Sequence, residues 1–149
     1  MDTKMKILIA YDGSSCADSA LADLRRAGLP RQSEVTVLSV TELLLPALES
    51  AGVGEERFVA AYPVSLEGAE SLAQTACARV QSYFPDWTVK AEARSGSPAS
   101  VIIEMADEWR PDMILVGSHG RSALGRFILG SVSAATAARA HCSVEVARL

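Results

Sequence analysis

The sequence has little of what builds covalent or metal-centred chemistry. Its three cysteines, Cys16, Cys77 and Cys142, are an odd number, lie far apart and form no CxxC pair. That pattern argues against a disulfide framework and against a zinc site. Only two histidines occur, His119 and His141, too few for a histidine-rich metal centre. No apolar run approaches the roughly 18–20 residues of a membrane span. The apolar run near the start is too short for a signal peptide, so a reducing, cytoplasmic location is expected. Basic residues are not in excess: 14 Lys plus Arg against 18 Asp plus Glu leave a net charge of −4. This argues against nucleic acid and against a membrane surface as partners. One small anion remains compatible, because helix N-termini and backbone N–H groups hold anions without net charge. Two common phosphate fingerprints are also missing. There is no Gly-Lys pair for a Walker A loop, and the only approach to GxGxxG, Gly52-Val-Gly-Glu-Glu-Arg57, lacks the third glycine.

What is present reads as alternating strands and helices. The 149 residues, 49% hydrophobic and 21% charged, predict one globular domain over 1–149 with a sizeable core. Residues 5–11 (MKILIAY) are a continuous apolar run, as in a strand buried on both faces. Asp12-Gly13-Ser14-Ser15 breaks that run, and Ser15 with Asp18 resembles a helix N-cap pair. Ala17, Ala20, Leu21 and Leu24 follow at helical spacing, up to Gly28-Leu29-Pro30. Residues 35–40 (VTVLSV) form a second strand, and 41–63 a long connection holding a short helical piece. A helix over 65–84 carries Leu72, Ala73, Ala76 and Val80 on one stripe. A half-exposed strand at 87–93 alternates apolar and polar residues. Ser97-Pro98 opens a third helix, 113–116 (MILV) is another buried strand, 131–140 a last helix and 143–147 a last strand. Strict alternation implies an α/β fold with a doubly wound parallel sheet covered by helices on both faces.

The stretch richest in chemistry runs from 117 to 133, after a buried strand and into a helix. In open α/β sheets ligands bind beyond the carboxyl ends of strands, where the strand order reverses. Gly117 and Gly120 remove side chains where a ligand can approach the backbone. Gly130-Ser131-Val132-Ser133 sets backbone N–H groups and two hydroxyls at a helix N-terminus, a geometry suited to phosphate oxygens. Arg121 and Arg126 can add charge-assisted contacts. Asp12-Gly13-Ser14 is by itself ordinary turn chemistry. No catalytic base and no metal-ligand set stands out.

The spacing Gly117-x2-Gly120-x9-Gly130-Ser131 resembles the ATP-binding signature of the universal stress protein family. The opening ILIAYDGS, the SGSP turn at 95–98, the DMILVGSHGR segment and the closing CSV extend the resemblance over nearly the whole chain. The resemblance implies a Rossmann-like, adenine nucleotide alpha hydrolase-like fold with strand order 3-2-1-4-5. It implies ATP or another adenine nucleotide, with magnesium as an optional companion, held between the first and fourth strands. Asp12 would lie beside the ribose or the adenine edge and Val40 against adenine. Gly117, Gly120, Gly130, Ser131 and Ser133 would surround the phosphates. A homodimer paired through the last strand is also implied. Two departures bear on that pairing: His141 stands where many relatives have proline, and Glu145 places a charge inside the strand. The expected function is that of an ATP-binding regulatory, stress-response protein. A slow ATPase, or an enzyme phosphorylating itself on Ser118, Ser122 or Ser131, is the alternative. A nucleotide-free interaction module is the third reading.

Overall fold

In the computed structural model of the protein, residues 4–42, 65–118 and 130–147 are described. Five strands, β1 (Met5–Ala10), β2 (Ser33–Thr41), β3 (Thr88–Ser95), β4 (Met113–Gly117) and β5 (Ser143–Ala147), form one sheet in the order β3-β2-β1-β4-β5. Every neighbouring pair in it is parallel. The helices among the described residues are α1 (Ser15–Asp23), α2 (Leu66–Tyr83), α3 (Pro98–Trp109) and α4 (Ser131–Arg139). The doubly wound fold and its strand order are those expected.

The continuous apolar runs follow from burial on both faces of the sheet. Ile7 and Ile9 of β1, Val35 and Val37 of β2 and Leu115 of β4 pack against Ala20 and Leu21 of α1 and Ala73, Ala76 and Val80 of α2. The residues between them turn the other way. Leu8, Leu38, Ile114 and Val116 meet Ile102, Met105 and Ala106 of α3, with Val132 and Ala140 of the α4 region at the margin. Thus α1 and α2 cover one face, and α3 and α4 the other. Truncating a large fully buried side chain such as Leu115 to alanine costs about 2–5 kcal/mol.

The edges differ from the sequence reading where solvent or a neighbour changes a residue's task. β3 is the half-exposed strand expected, at the sheet edge, but it runs over Thr88–Ser95 and does not include Trp87. Trp87 before it is buried; it stacks on Phe84 at 3.7 Å and donates from Nε1 to the Pro30 carbonyl at 3.1 Å. β2 is longer than expected, Ser33–Thr41, because it pairs on both sides. The helical piece expected within 41–63 falls outside the described residues, apart from positions 41 and 42.

The cap of α1 is shifted by one residue from the expectation. Ser14, not Ser15, is the N-cap, and its Oγ accepts from the Ala17 N–H at 3.1 Å. Asp18 is therefore free to act elsewhere. One of its oxygens accepts from both the Tyr11 hydroxyl and Arg79 Nη1. This carboxylate ties the end of β1 to α1 and α2. Gly13 forms the turn before the cap at φ 78°, a backbone state that β-carbon-bearing residues rarely adopt.

The tie has a pH dependence of definite sign. Burial, and then the hydrogen bond to Asp18, pushes the Tyr11 phenol up from 10.0 to about 12. The protonated phenol is the form that the fold favours. Its contribution to stability is complete below the unfolded value near pH 10 and is lost as pH rises through about 12. Phenolate absorbance should show a tyrosine titrating near pH 12 in the wild type that is missing from the Tyr11→Phe variant. The Tyr11→Phe variant should lose the stability increment that the wild type sheds in this alkaline range, as read by denaturant midpoints against pH. Equal alkaline slopes for the two proteins would contradict this assignment.

Candidate functional site

The register of the sheet decides which groups can meet. Ala10 pairs with Leu38 and Ile9 with Leu115. The residues that follow, Asp12 after β1, Val40 near the end of β2 and Gly117 at the end of β4, therefore come to the same end of the sheet. β1 and β4 are the adjacent strands at which the order reverses, the position where ligands bind in doubly wound folds. Val40 is half-buried on the α3 face. Asp12 is half-buried, and its Oδ1 accepts from the Ser14 backbone N–H at 2.9 Å. Asp12 thus performs the turn chemistry legible in Asp-Gly-Ser, using one oxygen of its carboxylate.

A knot of backbone bonds builds the second wall. The Ser118 N–H donates to the Ala147 carbonyl at 2.7 Å, and the Ser118 carbonyl accepts from the Gly130 N–H at 2.7 Å. The Ser133 hydroxyl donates towards the Ser118 carbonyl at 3.1 Å and the Gly130 carbonyl at 3.0 Å. Together these bonds hold the N-terminus of α4 against the end of β4. No side chain caps that helix; its N-cap is Gly130. The first N–H groups of a helix have no partner within it and carry the positive end of its dipole. Ser131 is exposed at the first helical position and Val132 is half-buried.

Two residues do something the sequence did not announce. At Gly117, expected to give a ligand access to the backbone, α1 stands against the position that a β-carbon would take. That atom would lie 3.0 Å from the Ala17 nitrogen and from the Cys16 carbonyl carbon and β-carbon. The glycine lets α1 approach β4. At Ser133 the expected partner of the hydroxyl is a phosphate. The hydroxyl points inward instead, to two carbonyl oxygens, and the residue is 1% exposed. Gly120 and Arg121, like His119, Ser122 and Arg126, lie outside the described residues. The sequence also gave no sign of Ser118 as a junction, since its partners are remote or on the far side of the loop. Its hydroxyl lies 3.6 Å from Cys16 Sγ, 102 positions away.

Other polar groups are engaged with one another. A groove beside β3 is lined by Thr36, Lys90, Glu92, Arg94, Glu108 and Trp109. Arg94 is clamped there by Glu108 and Glu92, which raise its pKa further. Burial pushes the Cys77 and Cys142 thiols up, away from the thiolate form needed for redox work. Among the described residues no group of three or more His, Cys, Asp or Glu side chains is placed to hold a metal ion. No described helix is long and apolar enough to cross a membrane.

With this geometry in hand, the comparisons with known proteins are specific. The model of the universal stress protein family matches residues 4–148, and the chain belongs to that family. A universal stress protein of Thermus aquaticus is 32% identical over 144 residues, covering 95% of this chain and 97% of the relative. A solved universal stress protein family protein of Arabidopsis thaliana with AMP bound superposes with a TM-score of 0.65 at 17% identity, over 97% of this chain and 91% of the other. A universal stress protein of Archaeoglobus fulgidus in complex with dAMP does so with a TM-score of 0.56 at 18% identity, over 99% of this chain and 100% of the other.

The packing at Gly117 can be tested directly. Gly117→Ala adds a β-carbon 3.0 Å from the backbone of α1, and overpacking of this kind costs about 1–3 kcal/mol. The loss of unfolded-state entropy on replacing glycine offsets about 0.4–1 kcal/mol of that. The variant should therefore be destabilised in urea unfolding by a net amount of about 1 kcal/mol, within a span of about 0–2.6 kcal/mol. A midpoint at or above that of the wild type would refute the close approach.

Proposed function

We propose that the chain binds an adenine nucleotide, ATP in the first instance, at the carboxyl ends of β1 and β4, and that occupancy regulates its behaviour. The observation that carries this reading is a convergence. Asp12, Val40, the β4 end and a helix N-terminus with no side-chain cap share one end of the sheet, at the reversal of strand order. Family members solved with AMP and with dAMP support the choice of an adenine nucleotide.

In this reading each group has a task that its chemistry can perform. Val40 offers an apolar wall to the base. Asp12 uses one oxygen on Ser14 and turns the other towards ribose hydroxyls, where a carboxylate accepts strong charge-assisted hydrogen bonds. The N–H groups of Ser131, Val132 and Ser133 and the exposed Ser131 hydroxyl face the phosphates. The positive end of the α4 dipole favours an anion there. By sequence, Gly120 belongs to the glycine spacing of the signature and Arg121 is a candidate for a charge-assisted phosphate contact. Gly117 contributes by letting α1 and β4 close up behind the site. A net charge of −4 is no obstacle, because the binding groups are local dipoles. Magnesium would accompany the phosphates rather than sit in a protein cage. A homodimer through the edge strand β5, in the cytoplasm, completes the proposal. Glu145, half-buried on that strand, must then meet a cation or solvent.

Calorimetric titration with ATP and AMP in magnesium buffer tests the site. Binding should saturate below about 1 mM nucleotide. Asp12→Ala should weaken it about tenfold or more, as expected for a lost hydrogen bond to a charged group. Heat of dilution alone at that concentration would sink the reading. So would an Asp12→Ala protein with wild-type affinity.

A further inference from the structure

We infer that the Ser133 side chain is a positioning group of this site: its hydroxyl sets nucleotide affinity by pinning the start of α4 and does not itself touch the ligand. The inference rests on the nucleotide reading above and assigns the Ser133 hydroxyl a role different from the phosphate contact that the family resemblance implies. Three observations carry it. Ser133 is 1% exposed, so a ligand outside the helix N-terminus cannot reach its hydroxyl. That hydroxyl has a single proton, and it lies within hydrogen-bond distance of the Ser118 carbonyl at 3.1 Å and the Gly130 carbonyl at 3.0 Å. The Ser118 carbonyl also takes the Gly130 N–H at 2.7 Å.

One carbonyl at the end of β4 therefore holds two points of the next element, the residue before α4 and a residue in its first turn. The two points act differently. The Gly130 bond sets the residue before α4 beside Ser118, and Val132 and Ala140 pack the helix on the α3 face, but neither fixes the aim of its first turn. The Ser133 bond supplies the second fixed point and so sets the direction in which the N–H groups of α4 aim. A binding geometry that is only partly populated weakens the apparent affinity by that same fraction. Removing the hydroxyl should thus cost affinity although no contact with the nucleotide is lost. Ser131, exposed and one position into the helix, is the hydroxyl available to phosphate.

The experiment uses the full chain as wild type, Ser133→Ala, Ser133→Thr and Ser131→Ala. Hydrogen exchange of the Gly130 amide is followed by NMR without ligand, and ATP affinity by calorimetry. Ser133→Ala should speed Gly130 exchange and weaken ATP binding, each by about tenfold, the scale of one buried hydrogen bond. Ser133→Thr keeps the hydroxyl and should restore both. Ser131→Ala should weaken ATP binding with Gly130 exchange unchanged. The inference is overturned if Ser133→Ala leaves Gly130 exchange at the wild-type rate, or speeds it without changing ATP affinity. A wild-type chain that takes no ATP overturns the nucleotide reading itself, and this outcome is distinct because Gly130 exchange is measured in the free protein.

Discussion

The pairing of β1 with β4 decides where every other group of the site can lie. Ile7 faces Met113 and Ile9 faces Leu115, which places the two strand ends side by side. The helices that adjoin those ends pack on opposite faces. α1, following β1, lies with Ile9 and Leu115, whereas α4, following β4, lies towards Val116 and Val144. Right-handed crossovers impose this divergence in a parallel sheet. In doubly wound folds ligands bind where two chains part in this way, whatever the sequence. What the sequence must supply is the chemistry at the rim.

That chemistry is divided between groups that build the rim and groups left to face it. Ser14 is spent on the cap of α1, and Asp18 on Tyr11 and Arg79. Ser133 and the Ser118 backbone are spent on the start of α4. Buried polar atoms have to be satisfied, and a donor satisfied inside the fold is no longer available to a ligand. Among the described residues, the groups not spent in this way at this end of the sheet include the second carboxylate oxygen of Asp12, the exposed Ser131 and the first N–H groups of α4. In the proposed reading such groups would bind an anion through oriented dipoles, which an acidic protein can carry.

Much of the fold was legible in the sequence because burial leaves a one-dimensional trace. The runs at 5–11, 35–40 and 113–116 are apolar at every position or nearly so because both faces of the sheet are covered. The site was legible in part, for a different reason. Glycine spacing and a serine beside a helix start show where the backbone must be free, but not what occupies the freed space. At Gly117 the occupant is α1, about a hundred positions earlier in the chain, and no local pattern can report that. The Ser133 hydroxyl likewise looks the same in sequence whether it faces a phosphate or a carbonyl. The one-residue error at the cap of α1 has the same origin. Ser14 and Ser15 are equally good caps locally, and the choice is made by where β1 ends and Gly13 turns.

The consequence is that the residues of this site are not equally informative about binding. Gly117 and Ser118 join β4 to α1, α4 and β5 at once, so a change at either moves the scaffold as well as the rim. Loss of nucleotide affinity there would be expected even if neither residue met the ligand. Asp12 is placed differently. It lies half-buried on a turn, bonded through one oxygen to a backbone N–H two residues on, and the cap of α1 is made by Ser14 without it. Removing its carboxylate leaves that cap and the β1–β4 pairing in place. A change in affinity at Asp12 therefore reports on the ligand, whereas one at Gly117 or Ser118 reports first on the fold.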